Sequence, residues 1–190
     1  VAICFIHVCT SVAWLLLGGI TYQRTYTLNN RLKPAVGELY GTVHRQVAPS
    51  VFYQTKRLRT EKVTEEGRTV TRTVEEVETH PLLLQGSDIT VDLKADYRKK
   101  GLLWYSTYKV AFEGTYLVEN TTTGDREICF SFRFPAENGV YDDFACLIDG
   151  TEAKDVRIEG TGFSRMLKMK PGQRTAVTVR YRSQGMDQWW

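Results

Sequence analysis

The stretch that decides the fold runs from residue 128 to residue 134, Ile128-Cys129-Phe130-Ser131-Phe132-Arg133-Phe134. Ile128, Phe130, Phe132 and Phe134 share one parity, and successive side chains of a strand point to opposite faces, so the segment reads as a strand with one strongly apolar face. The same period recurs on both sides of it. Ile89, Val91 and Leu93 alternate with Thr90, Asp92 and Lys94; Tyr108, Val110, Phe112, Tyr116 and Val118 keep one parity across Gly114; Val177, Val179 and Tyr181 close the series. These are half-buried strands. Between them lie Glu66-Gly67, Asn120 to Gly124, Asn138-Gly139, Asp149-Gly150, Gly160-Thr161-Gly162 and Pro171-Gly172, all residues that turns favour. Many short strands with regular turns predict a mainly β fold, an antiparallel β-sandwich over 47–190, either as one domain or as two small β subdomains, 47–118 and 119–190.

The chain ahead of the strands obeys a different rule. Val1 to Tyr22 contains no Asp, Glu, Lys or Arg. As a helix it spans roughly 33 Å, about the thickness of a bilayer hydrocarbon core. Trp14 lies within it, and Tyr22 and Arg24 at its downstream edge read as an aromatic and cationic anchor. The competing reading is a cleaved signal peptide, whose apolar region is about 7 to 15 residues and ends in a small-x-small site. This run is longer, and no clear site follows Gly19. The expectation is a transmembrane helix over 1–22, with the lipid bilayer as its partner. His7 stands alone in the apolar run and reads as a neutral imidazole near a helix end. A start at Val1 and a stop at Trp189-Trp190 lead us to expect a piece of a longer protein, so counting cations cannot orient the helix.

Residues 23–46 form a connector. Leu28, Leu32, Val36, Leu39 and Val43 recur every three or four residues and predict a juxtamembrane helix with one apolar stripe, interrupted or kinked at Pro34. Gly37 and Gly41 match a small-xxx-small spacing that lets helices approach, though outside an apolar span that signal is weak.

Charge and motif content narrow the function classes. Among 190 residues, 25 Lys+Arg against 22 Asp+Glu leave a formal charge of +3, too small and too dispersed for bulk nucleic-acid binding. His7, His44 and His80 are scattered, none in a ligand-spacing motif, so neither a metal site nor a cofactor is expected. No nucleophile elbow, P-loop or dinucleotide fingerprint is present, and no catalytic residue is assigned. Asp142-Asp143 with Asp149 is the one carboxylate group of note, yet adjacent strand residues face opposite ways unless the backbone turns there. Cys4 and Cys9 behave as small hydrophobes in the apolar run, whereas Cys129 and Cys146 pair only if the domain is in an oxidising compartment, and their parities argue modestly against it. Asn120-Thr121-Thr122 matches a glycosylation acceptor, a pattern common by chance.

Three segments suggest contacts. Lys56 to Thr79 reads as a long solvated hairpin whose charges alternate in sign, with cross-strand pairing the natural role and a docking edge the sharper one. Arg98, Lys99 and Lys100 precede Gly101 at a turn; they suit either solvent, lipid headgroups or an acidic partner, and Trp104 and Tyr105 follow closely. At the tail, Arg180, Tyr181 and Arg182 precede Trp189-Trp190, which read equally as interfacial anchors or as sandwich-edge packing.

Two of these segments carry a resemblance. Gln46-Val47-Ala48-Pro49-Ser50-Val51-Phe52 resembles the entry into the outer domain of the CreD-like bacterial inner-membrane proteins, with Ala48 where that pattern has glycine. Tyr97-Arg98-Lys99-Lys100-Gly101-Leu102-Leu103, followed by Tyr108, Phe112, Gly114 and Tyr116, is similar to that family's basic-Gly-aliphatic turn and next strand. The correspondence ends at Glu119. It implies an inner-membrane protein with a periplasmic domain after its first helix, further helices beyond, a role in envelope integrity and other envelope proteins as partners. On that reading the chain is a non-enzymatic extracytoplasmic domain with a structural or protein-binding role. The alternatives are an accessory domain of a membrane enzyme, or the ligand-binding domain of a membrane sensor.

Overall fold

A computed structural model describes every residue except Val1, Glu66, Gly67, Leu102, Asn138 and Asp155, and every side chain except those and 60–72 and 157–159. The predicted turns at Glu66-Gly67 and at Asn138 therefore lie outside the described residues.

The chain opens with one helix, α1, Ala2–Tyr40, of 39 residues. The predicted break at Pro34 does not occur. Proline at this position removes one intrahelical bond, but Val36 and Gly37, one turn on, are buried against the β domain, and that packing carries the helix through. α1 ends where the Gly41 N–H bonds to the Gly37 carbonyl at 2.9 Å and Gly41 takes φ of 94°, a left-handed cap. The expected stripe is only partly realised. Leu32 and Val36 pack inward, whereas Leu39 is exposed and Val43 lies past the helix.

Among the described residues twelve strands follow: β1 Ser50–Glu65, β2 Arg68–Leu82, β3 Gly86–Ala95, β4 Arg98–Lys100, β5 Leu103–Tyr105, β6 Thr107–Glu119, β7 Arg126–Arg133, β8 Tyr141–Ile148, β9 Thr151–Glu152, β10 Arg157–Glu159, β11 Gly162–Met169 and β12 Arg174–Met186. They form two antiparallel five-stranded sheets, ordered β10-β11-β7-β1-β2 and β3-β6-β12-β8-β9, and a small β4-β5 hairpin. Each sheet takes strands from 47–118 and from 119–190, and one core lies between them. Val51, Ile128, Phe130, Phe132, Phe163 and Leu167 from the first sheet meet Val110, Phe112, Tyr116, Val118, Val177, Val179 and Tyr181 from the second. The Phe130/Phe132 parity thus faces the core, and Phe112 stacks on Tyr181 with ring centroids 4.9 Å apart.

Among the described residues β1 pairs with β7 from Ser50 to Tyr53, and beyond that point its pairing is with β2, in register from Gln54↔Thr79 to Glu65↔Arg68. The free part is a two-stranded ribbon roughly 40 Å long at about 3.3 Å per residue. The expected cross-strand pairing is present: Lys56–Glu75, Arg57–Glu78 and Arg59–Glu76 form ion pairs. Because the Arg133 end of β7 sits beside Gln46, just after the helix, and β1 runs antiparallel to β7, β1 leads away from the end of α1.

Candidate functional site

The joint between α1 and the sandwich is where the chain's unusual residues collect. Along the last turns of α1, Lys33 forms an ion pair with Asp187 at 2.6 Å, Gly37 faces Met186 and Gly41 meets Gln184. Helix numbers rise as strand numbers fall, so α1 and β12 lie side by side and antiparallel. Val36, Tyr105 and Met186 form a small second core there, with Leu32, Tyr40 and Leu103 around it.

The β4-β5 hairpin clasps this joint. Its register pairs Arg98 with Tyr105, Lys99 with Trp104 and Lys100 with Leu103. Paired residues share a face and the faces alternate, so the five predicted contact residues divide. Arg98, Lys100 and Tyr105 turn toward the helix. Arg98 bonds Asp96 at 2.5 Å and lies 5.3 Å over the Tyr40 ring, Lys100 Nζ donates to the Ala35 carbonyl at 3.3 Å, and Tyr105 is buried. Two cations beside the last turns of a helix also suit the negative end of its dipole. Lys99 and Trp104 turn to solvent. The Lys99 ammonium lies 5.8 Å over the Trp104 ring, and Trp104 is 68% exposed. Gly101, at φ of 63°, makes the hairpin tip, and it lies against Leu32.

Height along the helix decides what this hairpin can reach. Trp14 and Tyr22 are exposed on α1, Tyr22 stacks on Tyr26 with centroids 6.4 Å apart, and Arg24, two residues past Tyr22, is exposed on another face of the helix. Leu32 is ten residues past Tyr22, or roughly 15 Å along the axis, and Val36 roughly 21 Å. A headgroup layer is about 5 to 7 Å deep. The hairpin thus stands farther along α1 from the Tyr22–Tyr26 pair than a headgroup layer is thick.

On another side of the joint lies a groove of about 990 Å³ between the helix end and β8–β12, with Leu39, Val43 and Val140 as exposed apolar wall and Glu38 and Asp142 as carboxylates. Asp143 adopts φ of 51°, which supplies the backbone turn that two adjacent aspartates would need, but it pairs with Arg182 at 3.0 Å while Asp142 lines the groove. Among the described residues no three His, Cys, Asp or Glu side chains converge.

Two residues named in the sequence reading prove to have roles at the joint that it did not assign. Gln46 accepts the Tyr181 hydroxyl at 2.8 Å and donates to the Arg133 carbonyl at 3.0 Å, tying the connector to both sheets. His44 is fully buried, edge-on to Tyr108, with neither ring nitrogen hydrogen-bonded among the described residues, and burial pushes its pKa down to about 4. Its backbone pairs with Gln188 and Trp190. A polar residue inside an otherwise unremarkable connector gave no periodic signal.

The structure decides three readings that the sequence leaves open. Asn120 is buried, and its amide donates to the carbonyls of Gly124 and Met169, so it closes a turn instead of standing open to a glycosyltransferase. Cys129 and Cys146 form no disulfide: Cys146 faces the core from one sheet, whereas Cys129 sits on the opposite parity of the other. Of the tail tryptophans, Trp189 packs against the core and Trp190 carries Arg45 5.0 Å over its ring.

Compared with protein-family models, curated proteins and solved structures, the chain matches none. By length and composition, α1 is one helix apolar enough to cross a membrane.

Proposed function

We propose that this is a membrane-anchored, non-enzymatic β-sandwich of the bacterial inner membrane, lying on the periplasmic side and serving as a structural or protein-binding element of the envelope. The observation that supports this reading best is the joint. One uninterrupted helix passes from an uncharged run into a contact of Val36, Tyr105 and Met186, latched by Lys33–Asp187 and the hairpin. A flexible tether would need none of these contacts. A stalk that fixes the height of a domain needs all of them. The Lys99–Trp104 pair on the hairpin's open face supplies a cation and an aromatic plane, chemistry suited to an acidic patch on a neighbouring envelope protein.

The groove favours a second reading, a sensor domain, because its ligand would press on the helix itself. Expression of the full chain in bacterial cells tests the first reading. The uncleaved protein should remain in carbonate-washed inner membranes and be digested by protease added to spheroplasts. A chain released from the membrane and shortened by its first twenty-odd residues would overturn the anchor, and a domain protected in spheroplasts would overturn its side. Conformational coupling between a groove ligand and α1, read by spin labels on both, would instead support the sensor.

A further inference from the structure

Among the described residues, nothing pairs with the outer edge of β3. β3 ends its sheet, bonded only to β6, and nine of its ten residues are exposed. Ile89 and Leu93 are each 49% exposed, with half-buried Val91 between them on the same face. The Asp96 N–H bonds to the Thr107 carbonyl at 2.8 Å, and the β3–β6 register continues that pairing as Lys94↔Lys109, Asp92↔Ala111, Thr90↔Glu113 and Asp88↔Thr115. Antiparallel ladders alternate, so the intervening residues Ser87, Ile89, Val91, Leu93 and Ala95 aim their N–H and C=O groups outward. A ten-residue edge of this kind is a template for another strand.

The edge is complementary to itself. We propose that β3 is a homophilic docking edge that pairs antiparallel with β3 of a second copy, centred on Val91. In that register Ile89 faces Leu93, Val91 faces its own counterpart, and Asp88 faces Lys94 on both sides of the axis. Each outward N–H then meets an outward carbonyl. The neighbouring registers fail on charge: centring on Thr90 opposes Asp88 to Asp92, and centring on Asp92 opposes that residue to itself, both destabilising cross-strand pairs. The apolar row of each copy falls on one face of the joined sheet, which runs through both domains.

The geometry also fixes where the anchors go. β3 and β12 both run antiparallel to β6, and β12 lies antiparallel beside α1, so β3 runs toward the helix end of the domain. Antiparallel pairing of two copies therefore sends their helices out at opposite ends. Upright copies in one inner membrane cannot form this contact, so with α1 in lipid it joins chains anchored in facing bilayers; vesicle clustering would therefore count against the periplasmic inner-membrane placement proposed above, on which the pairing itself does not rest.

Charge exchange tests it. The full chain in detergent should show a monomer–dimer equilibrium by analytical ultracentrifugation. Asp88→Lys alone and Lys94→Asp alone each oppose like charges in the dimer and should weaken it about tenfold or more. An equimolar mixture of the two variants restores opposite charges at both positions and should dimerise again, a rescue that misfolding cannot mimic. Proteoliposomes should cluster when they carry wild type, stay dispersed with either variant, and cluster when the two variant populations are mixed. A wild type that stays monomeric at the highest concentration reached, or a mixture that gives no rescue, overturns the pairing. Rescue in detergent without vesicle clustering overturns the opposed orientation of the helices.

Discussion

Gly41 passes so close to β12 that a methyl group on its Cα would overlap the carbonyl oxygen of Gln184. The close approach is what seats the helix end on the sandwich, and the left-handed φ of 94° makes it doubly specific to glycine. Gly41→Ala should therefore cost about 3 kcal/mol, combining backbone strain with overpacking, and lower the melting temperature by ~10 °C in circular dichroism. Gly18→Ala, where nothing lies within 4 Å of the added carbon, serves as the control and should leave it unchanged.

His44 makes stability depend on pH in one direction. Burial holds its folded pKa at about 4, below the ordinary 6.5. Above 6.5 the ring is neutral folded or unfolded, and nothing is lost. As pH falls from 6.5 toward 4 only the unfolded chain takes up the proton, so stability drops progressively, by up to about 3 kcal/mol, and then levels off. Denaturant unfolding at pH 7.5 and 4.5 should show the loss, and His44→Phe should remove most of the difference between the two.

Tyr105 and Trp104 are neighbours with opposite expectations. The Tyr105 hydroxyl is buried with no hydrogen-bond partner among the described residues, so Tyr105→Phe should be neutral or stabilising by up to about 1 kcal/mol. Trp104, standing in solvent, should tolerate Trp104→Ala within about 0.5 kcal/mol while losing any affinity carried by the hairpin's open face. Unfolding curves of both variants separate the clasp from the contact surface.

Cys146 should be inert in the native state. Burial raises its thiol to about 11, so the reactive thiolate at pH 8 is on the order of one part in a thousand. In a Cys4→Ala, Cys9→Ala background, a thiol reagent should label Cys146 only after denaturant is added.

Parity made the sandwich readable, because Phe130, Phe132, Val177 and Val179 state their facing locally and the core obeys it. The uncharged leading run was equally plain. The joint was not. Pro34 reads as a break in any window around it, and only the burial of Val36 against Tyr105 and Met186, brought from distant parts of the chain, keeps the helix whole. The basic turn was found by composition, but which of its cations are committed was decided by hairpin register: Arg98 and Lys100 serve the helix, and Lys99 alone faces outward with Trp104. The spacing of Gly37 and Gly41 suggested close packing, and the partner is a strand where the pattern suggested a helix.

The uninterrupted course of α1 through Pro34 has a mechanical outcome. Because α1 is one helix from its apolar turns to the seat at Met186, a lean of those turns reaches the β layers through that seat. The β1–β2 ribbon, which leaves the sheet at the far end, lengthens the arm over which such a lean is felt.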